Sequence, residues 1–255
     1  DVYKRKIVGR LGGPYNLKYY QQCTHLVGNV PHLVDHIVDG GWPKDKASLM
    51  TNFAPSPAKA GKHARETVRT QYGIADEDTV LFISGRLHPR KGIEMIIRLL
   101  PQLGSSFHLI LAGLGPQRET LENIATDLGL ESRVHFAGWV DPLAGYAAAA
   151  DIWLAPSITE PLGNTCLDAW WHEVPIIASD TGGFAWLIEN NKTGLLVEPQ
   201  DDVAWVETIR HLATDSKLAK KIAKAGHAHV QKTFAPKALM SGYLKFYQKL
   251  IGEFN

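Results

Sequence analysis

Cysteine is nearly absent from this chain: Cys23 and Cys166 are the only two among 255 residues, far apart and outside any metal-ligand spacing. That excludes a disulfide framework and a cysteine-based zinc site, and it fits a reducing cytoplasm. An excess of charge of either sign is absent as well. Lys and Arg number 27 against 26 Asp and Glu, a net charge of +1, so nothing steers the molecule toward nucleic acid. The cluster Lys4-Arg5-Lys6 is too short to change that. No apolar run approaches the ~20 residues of a membrane-spanning helix, and the first residues do not form a signal peptide. Repeats and low-complexity tracts are missing, and a chain with 45% hydrophobic and 21% charged residues is not a disordered one. Asp1 is not an initiator residue, so the chain is expected to begin inside a longer polypeptide.

From residue 79 onward, apolar runs alternate with helical patterns. Strands are expected over 79–84, 107–112, 133–137, 152–155, 175–179 and 194–198, with helices over 92–103, 116–128, 142–149, 165–173, 183–189 and 203–213. Pro116 and Pro142 stand where first-turn prolines belong. Six strands with intervening helices predict a doubly wound parallel sheet. Before residue 79 the rhythm differs: a turn-rich stretch over 9–14, helical character over 17–23, a strand over 25–30 and a helix over 31–39 read as the end of a preceding α/β domain. The divisions expected are 1–53 for that remnant, 54–78 for a linker and leading helix, 79–234 for the complete domain, and 235–255 for a C-terminal helix. That last helix carries Leu239, Tyr243, Leu244, Phe246, Tyr247 and Leu250 and needs an apolar partner. It packs on the remnant or, with Lys237, Lys245 and Lys249 flanking the apolar face, touches the inner face of a membrane.

Chemistry-bearing residues fall where the strands end. Ser84-Gly85-Arg86-Leu-His88-Pro-Arg90-Lys91-Gly92 follows the first strand of the sheet: Arg86 offers a planar fork for phosphate oxygens and Lys91 a mobile point charge. Ala112-Gly113-Leu-Gly115-Pro116 follows the second, with Arg118 where a dinucleotide fingerprint has its third glycine, and a tight turn explains it. His135-Phe-Ala-Gly138-Trp139-Val140 ends the third strand, with His135 read as a packed strand residue. After the fourth comes Ser157-Ile-Thr-Glu160-Pro-Leu-Gly163-Asn-Thr-Cys-Leu-Asp168, whose two carboxylates suit sugar hydroxyls and whose helix start suits a diphosphate. Thr165 and Asp168 alone also fit a capping box. Trp153 and Trp205 lie in apolar patterns and read as core.

Taken in order, Gly-Arg-Leu-x-x-x-Lys-Gly, Ala-Gly-x-Gly-Pro, Phe-x-Gly-x-Val, Pro-Ser-x-x-Glu-Pro-x-Gly-Asn and Ala-Ser-Asp-x-Gly-Gly resemble the donor half of family 4 retaining glycosyltransferases over about residues 79–199. The first 53 residues resemble the last part of the same family's acceptor-side domain. The resemblance implies the GT-B fold: one complete doubly wound, Rossmann-like domain and a partial second α/β domain. It implies catalytic roles for Arg86, Lys91 and Glu160, with both cations on the leaving diphosphate and Glu160 on sugar hydroxyls. Asp168 would hold the ribose, Gly85 would let the backbone approach, the backbone of Leu162, Gly163, Asn164 and Thr165 would bind phosphates, and Gly138, Trp139 and Val140 would lie near the base. The implied substrate is a UDP-, GDP- or ADP-linked sugar and the implied acceptor a glycan or lipid-linked acceptor.

No metal cofactor is expected. Asp201-Asp202, the nearest thing to a metal-binding acidic pair, reads as a helix cap. Three departures from the family stand out: Asp168 where Glu is usual, Trp170-Trp171 in place of smaller residues, and Glu173 in place of a helix-ending glycine. Other readings are a fragment that binds sugar nucleotide without transferring it, and a GT-B epimerase.

Overall fold

The computed structural model describes residues 6–252. Lys4, Arg5 and the end of the segment 235–255 lie outside the described residues. The chain forms two compact units, residues 1–55 with 232–255, and residues 56–231.

In the smaller unit, strands β1 (Val8–Leu11), β2 (His25–Gly28) and β3 (Ala47–Leu49) make a parallel sheet in the order β1-β2-β3. Helix α1 (Pro31–Asp39) follows β2 and buries Leu33 and Ile37. The helical character expected over 17–23 is a single 3-10 turn, Leu17–Tyr20, opened by the Asn16 side chain accepting from Lys18 N. β1 lies across the stretch read as turn-rich. Its Gly9 is crowded by Leu26, Tyr20 and Cys23, which leaves no room for a side chain.

The larger unit opens with α2 (Ala64–Gln71) and then alternates β4 (Thr79–Ser84), α3 (Ile93–Leu103), β5 (Phe107–Ala112), α4 (Arg118–Asp127), β6 (Val134–Gly138), α5 (Ala144–Ala149), β7 (Ile152–Ala155), α6 (Asn164–Trp171), β8 (Ile176–Ser179), α7 (Gly182–Leu187), β9 (Leu195–Val197), α8 (Asp202–Thr214) and α9 (Ser216–Thr233). All six strands are parallel, in the order β6-β5-β4-β7-β8-β9. Successive side chains on a strand point to opposite faces, and β4 shows both. Leu81 joins the buried cluster of Ile96, Leu100, Trp205 and Ile209 from α3 and α8, whereas Phe82 stacks on Tyr146 of α5 and meets Trp153 edge to face. Trp153 and Trp205 are fully buried, as expected of core residues.

Arg69 on α2 is buried against Asp151 at 2.6 Å and against the carbonyls of Ala75, Asp78 and Ala149. Asp151 also accepts from Val80 N and Arg65, which satisfies a buried charge that would otherwise be costly. His135 is packed between Tyr72 and His108, and burial together with the neighbouring His108 lowers its pKa to about 4. It is a neutral strand residue at physiological pH.

Pro116 and Pro142 are not first-turn residues. α4 begins at Arg118, with Gln117 as its N-cap and Gln117 N donating to Leu87 O at 3.1 Å, and α5 begins at Ala144, beyond Pro142. Asp201 caps α8 by accepting from Ala204 N, as read from the sequence. Helix α10 (Pro236–Gly252) belongs to the smaller unit. There Tyr243 donates to Thr51 O at 2.6 Å and Phe246 meets His25 edge to face, while Met240, Leu244, Tyr247 and Ile251 form an exposed stripe. No described helix is long and apolar enough to cross a membrane.

Candidate functional site

The order of strand addition reverses between β4 and β7: β5 and β6 are added on one side of β4, and β7, β8 and β9 on the other, all six remaining parallel. At such a switch point the loops leaving the carboxyl ends of the two central strands diverge and open a crevice. Here they are the β4–α3 loop, with Arg86 and Lys91, and the β7–α6 loop, with Glu160. The two loops are fastened to each other. Ile158 N donates to Arg90 O at 2.8 Å, and Gly92, in the left-handed region at φ 64, lies so close to Pro156 O that a β-carbon would overlap it. The backbone of Glu160 is held by the first turn of α7, where Gly183 N donates to Glu160 O at 2.7 Å.

The Lys91 ammonium and Glu160 Oε2 are 2.5 Å apart, and Ser157 Oγ donates to the same oxygen at 3.3 Å. Arg86 and Lys91 also line one narrow crevice, together with Ser84, Gly85, Ser157 and Thr165. Arg86 is exposed and, among the described residues, makes no side-chain hydrogen bond. Its guanidinium is therefore available to an anion.

Beside this crevice opens a cleft of about 610 Å³, whose lining includes Gly85, Arg86, Leu114, Trp139, Val140 and Asp168. Its walls are mostly apolar, with the Arg86 cation and the Asp168 carboxylate among them. Trp139 stands 77% exposed at its edge. Burial alone pushes the Asp168 carboxyl up to about 6, and among the described residues no N–H or O–H donates to it. A carboxylate desolvated without hydrogen bonds is poised to accept them from a guest.

Residues from three stretches of sequence thus share one rim: Arg86, Lys91 and Thr165 line the crevice, Glu160 joins them through its contact with Lys91, and Arg86 lines the cleft with Asp168, Trp139 and Val140. Other expected residues do not face these spaces with their side chains. Leu162 is buried, Gly163 is the left-handed N-cap of α6, Asn164 is the first residue of that helix, and Gly138 is not part of the cleft's lining, its carbonyl accepting from Gly113 N at 2.7 Å. The capping box of Thr165 and Asp168 is not formed. The helix begins at Asn164, and the Thr165 hydroxyl accepts from the Trp153 indole N–H at 2.9 Å and pairs with Ser84 Oγ at 3.2 Å.

Residues 64–229 match the family model described as Glycosyl transferases group 1. The chain belongs to this family. It is 32% identical to the lipopolysaccharide core biosynthesis glycosyltransferase LpsD of Rhizobium meliloti (strain 1021) over 247 residues, covering 96% of this chain and 70% of that protein. To LpsE of the same organism it is 29% identical over 239 residues, covering 93% and 68%. Among solved structures, Anabaena Alr3699/HepE in complex with UDP-glucose is similar at TM-score 0.88 and 22% identity, covering 96% of this chain and 73% of that one. The architecture is that of the GT-B glycosyltransferases.

Within this group 1 fold the departures have visible consequences. Trp170 is fully buried, donates to Thr193 O at 2.7 Å, and lies flat against Gly226 of α9, where any side chain would collide with it. Glu173 occupies the left-handed region at φ 55, a conformation that glycine adopts more cheaply. Two residues on the rim have roles that sequence reading did not assign. Ser157 anchors Glu160, and Ser84 pairs with Thr165; the only signal for either is a hydroxyl at the carboxyl end of a strand.

Proposed function

We propose that this group 1 glycosyltransferase moves a sugar from a nucleoside diphosphate to a glycan or lipid-linked glycan with retention of anomeric configuration. The observation that carries the reading is the shared rim: two cations, the Asp168 carboxylate and an exposed indole line a crevice and cleft of a size suited to a sugar nucleotide, and a second carboxylate, Glu160, is paired with Lys91 beside them. The name of LpsD and the UDP-glucose held by Alr3699/HepE point the same way. Arg86 and Lys91 hold the diphosphate, Glu160 the sugar hydroxyls, Asp168 the ribose hydroxyls, and Trp139 with Val140 the base, while backbone N–H groups at the start of α6 support the phosphates.

As the anomeric C–O bond breaks, negative charge grows on the leaving phosphate oxygen and positive charge on the sugar ring. Arg86 and Lys91 stabilise the first more strongly in the transition state than in the ground state, which is the condition for acceleration. The acceptor hydroxyl approaches from the face the phosphate leaves, and its proton passes to the departing oxygen. Lys91 reaches the diphosphate by exchanging its contact with Glu160, which frees that carboxylate for the sugar. No step calls for a metal, and we place the reaction on the cytoplasmic side. Incubation with UDP-, GDP- and ADP-sugars and a lipid-linked glycan, read by proton NMR of the product, tests this. One donor giving a product of unchanged anomeric configuration is expected; an inverted product overturns retention.

Asp168 adds a pH dependence. Its folded pKa lies above the unfolded carboxylate value, so ionisation costs stability as pH rises from about 4 to about 6. Ribose hydroxyls that donate to the ionised form offset that cost. Affinity for a sugar nucleotide, whose diester phosphates do not titrate here, is expected to be about 5–10-fold weaker at pH 5 than at pH 7.5. Calorimetric titration of wild type and Asp168→Asn checks it: the variant's profile should be flat over this range.

A further inference from the structure

Three side chains from three separate elements meet beneath the crevice. The Trp153 indole, fully buried on β7, carries a proton and no acceptor. It donates to Thr165 Oγ1 on α6 at 2.9 Å, and Thr165 Oγ1 lies 3.2 Å from Ser84 Oγ at the end of β4. Ser84 lines both spaces of the site, the crevice it shares with Arg86 and Lys91 and the cleft it shares with Arg86 and Asp168. Thr165 by itself satisfies the buried indole N–H. The bond to Ser84 is therefore not needed to solve a burial problem, and its consequence lies on the other side, in the crevice.

We propose that Ser84 is a further donor-binding residue: its hydroxyl donates to the diphosphate, aimed by a chain of hydrogen bonds running from Trp153 through Thr165. This rests on the donor-binding reading above. With one lone pair of Thr165 taken by the indole, the threonine proton turns to Ser84 Oγ and leaves the serine proton for the crevice. A phosphate oxygen only accepts, so an anion between Arg86 and Lys91 selects this one direction of the chain. Bonds aligned in one direction polarise one another and strengthen the last of them.

The test is calorimetric binding of UDP, GDP and ADP and of the parent nucleosides, using whichever diphosphate the wild type binds. Ser84→Ala, which strands no buried group, should weaken the diphosphate about tenfold, the range of a hydrogen bond to a charged partner, and leave the nucleoside unchanged. Thr165→Val should weaken the diphosphate by a similar factor, Thr165→Ser should restore it, and the Ser84→Ala/Thr165→Val double variant should be no weaker than Ser84→Ala alone. Wild-type diphosphate affinity in Ser84→Ala, or an equal loss of nucleoside and diphosphate, overturns the proposal. If diphosphate binding depends on Arg86 and not on Ser84, only this inference falls. If no diphosphate binds the wild type, or Arg86→Ala leaves binding intact, the donor reading falls with it.

Discussion

Arg86→Ala is expected to abolish the thermal stabilisation that one of UDP, GDP or ADP confers on the wild type. The guanidinium is exposed and bonds to no described residue, so its removal should leave the unliganded melting temperature almost unchanged, as for other surface substitutions. Binding is another matter. A bidentate contact between guanidinium and phosphate is charge-assisted at both ends, and losing it in a partly desolvated crevice costs about two orders of magnitude in Kd. At a ligand concentration of about 100 Kd, linkage gives the wild type about 2.7 kcal/mol of added stability. A hundredfold weaker variant at the same concentration gains only about 0.4 kcal/mol by the same relation, close to the resolution of a melting curve. Glu160→Ala, by contrast, should keep the shift with the plain diphosphate and lose the preference for the sugar-bearing form. Equal shifts in wild type and Arg86→Ala would remove the phosphate assignment.

Gly92→Ala should be a strongly damaging single-methyl change at the site. Residue 92 sits at φ 64 against Pro156 O, so alanine meets a left-handed conformation that costs ~1–2 kcal/mol and a collision with backbone that has no rotamer to relieve it. The expected loss is about 2–4 kcal/mol of stability, or else a shift of the turn that carries Lys91 away from Glu160. Only the shifted turn lowers donor affinity, so melting and titration together separate the two outcomes. Gly242→Ala is the control. A β-carbon there meets nothing within 4 Å on a helix, so that variant should be as stable as the wild type or slightly more so. An unaltered melting temperature and unaltered donor affinity in Gly92→Ala would show that the two loops are not interlocked as described.

Most of the larger unit was legible because its strands are short apolar runs separated by helical spacing, a pattern that hydrophobic burial imposes directly. What escaped reading was decided by partners distant in sequence. The start of α6 is set by Thr165 turning to Trp153 and Ser84, contacts 12 and 81 residues away, and a capping pattern holds no trace of them. Pro116 lies in the turn before its helix, where Gln117 N bonds to Leu87 O, a partner outside the local pattern. Strands β1 and β3 are not apolar runs: β1 holds Gly9 and Arg10, and β3 is half-buried to exposed along its length. In the site, charged residues at strand ends were readable, since their chemistry is unusual for a packed sheet edge. Ser84 and Ser157 were not, because a hydroxyl at a strand end is common, and only its neighbours distinguish it.

The central claim is geometric: Arg86, Lys91, Glu160 and Asp168 surround one sugar nucleotide at the carboxyl rim of the six-stranded sheet. A crystal structure with the diphosphate that stabilises the protein tests it most directly. The account predicts phosphate oxygens within hydrogen-bond distance of both Arg86 and Lys91, the ribose hydroxyls on Asp168, and the Lys91–Glu160 contact opened. A diphosphate bound elsewhere, or one in the cleft with Arg86 turned to solvent and Lys91 still on Glu160, would contradict it.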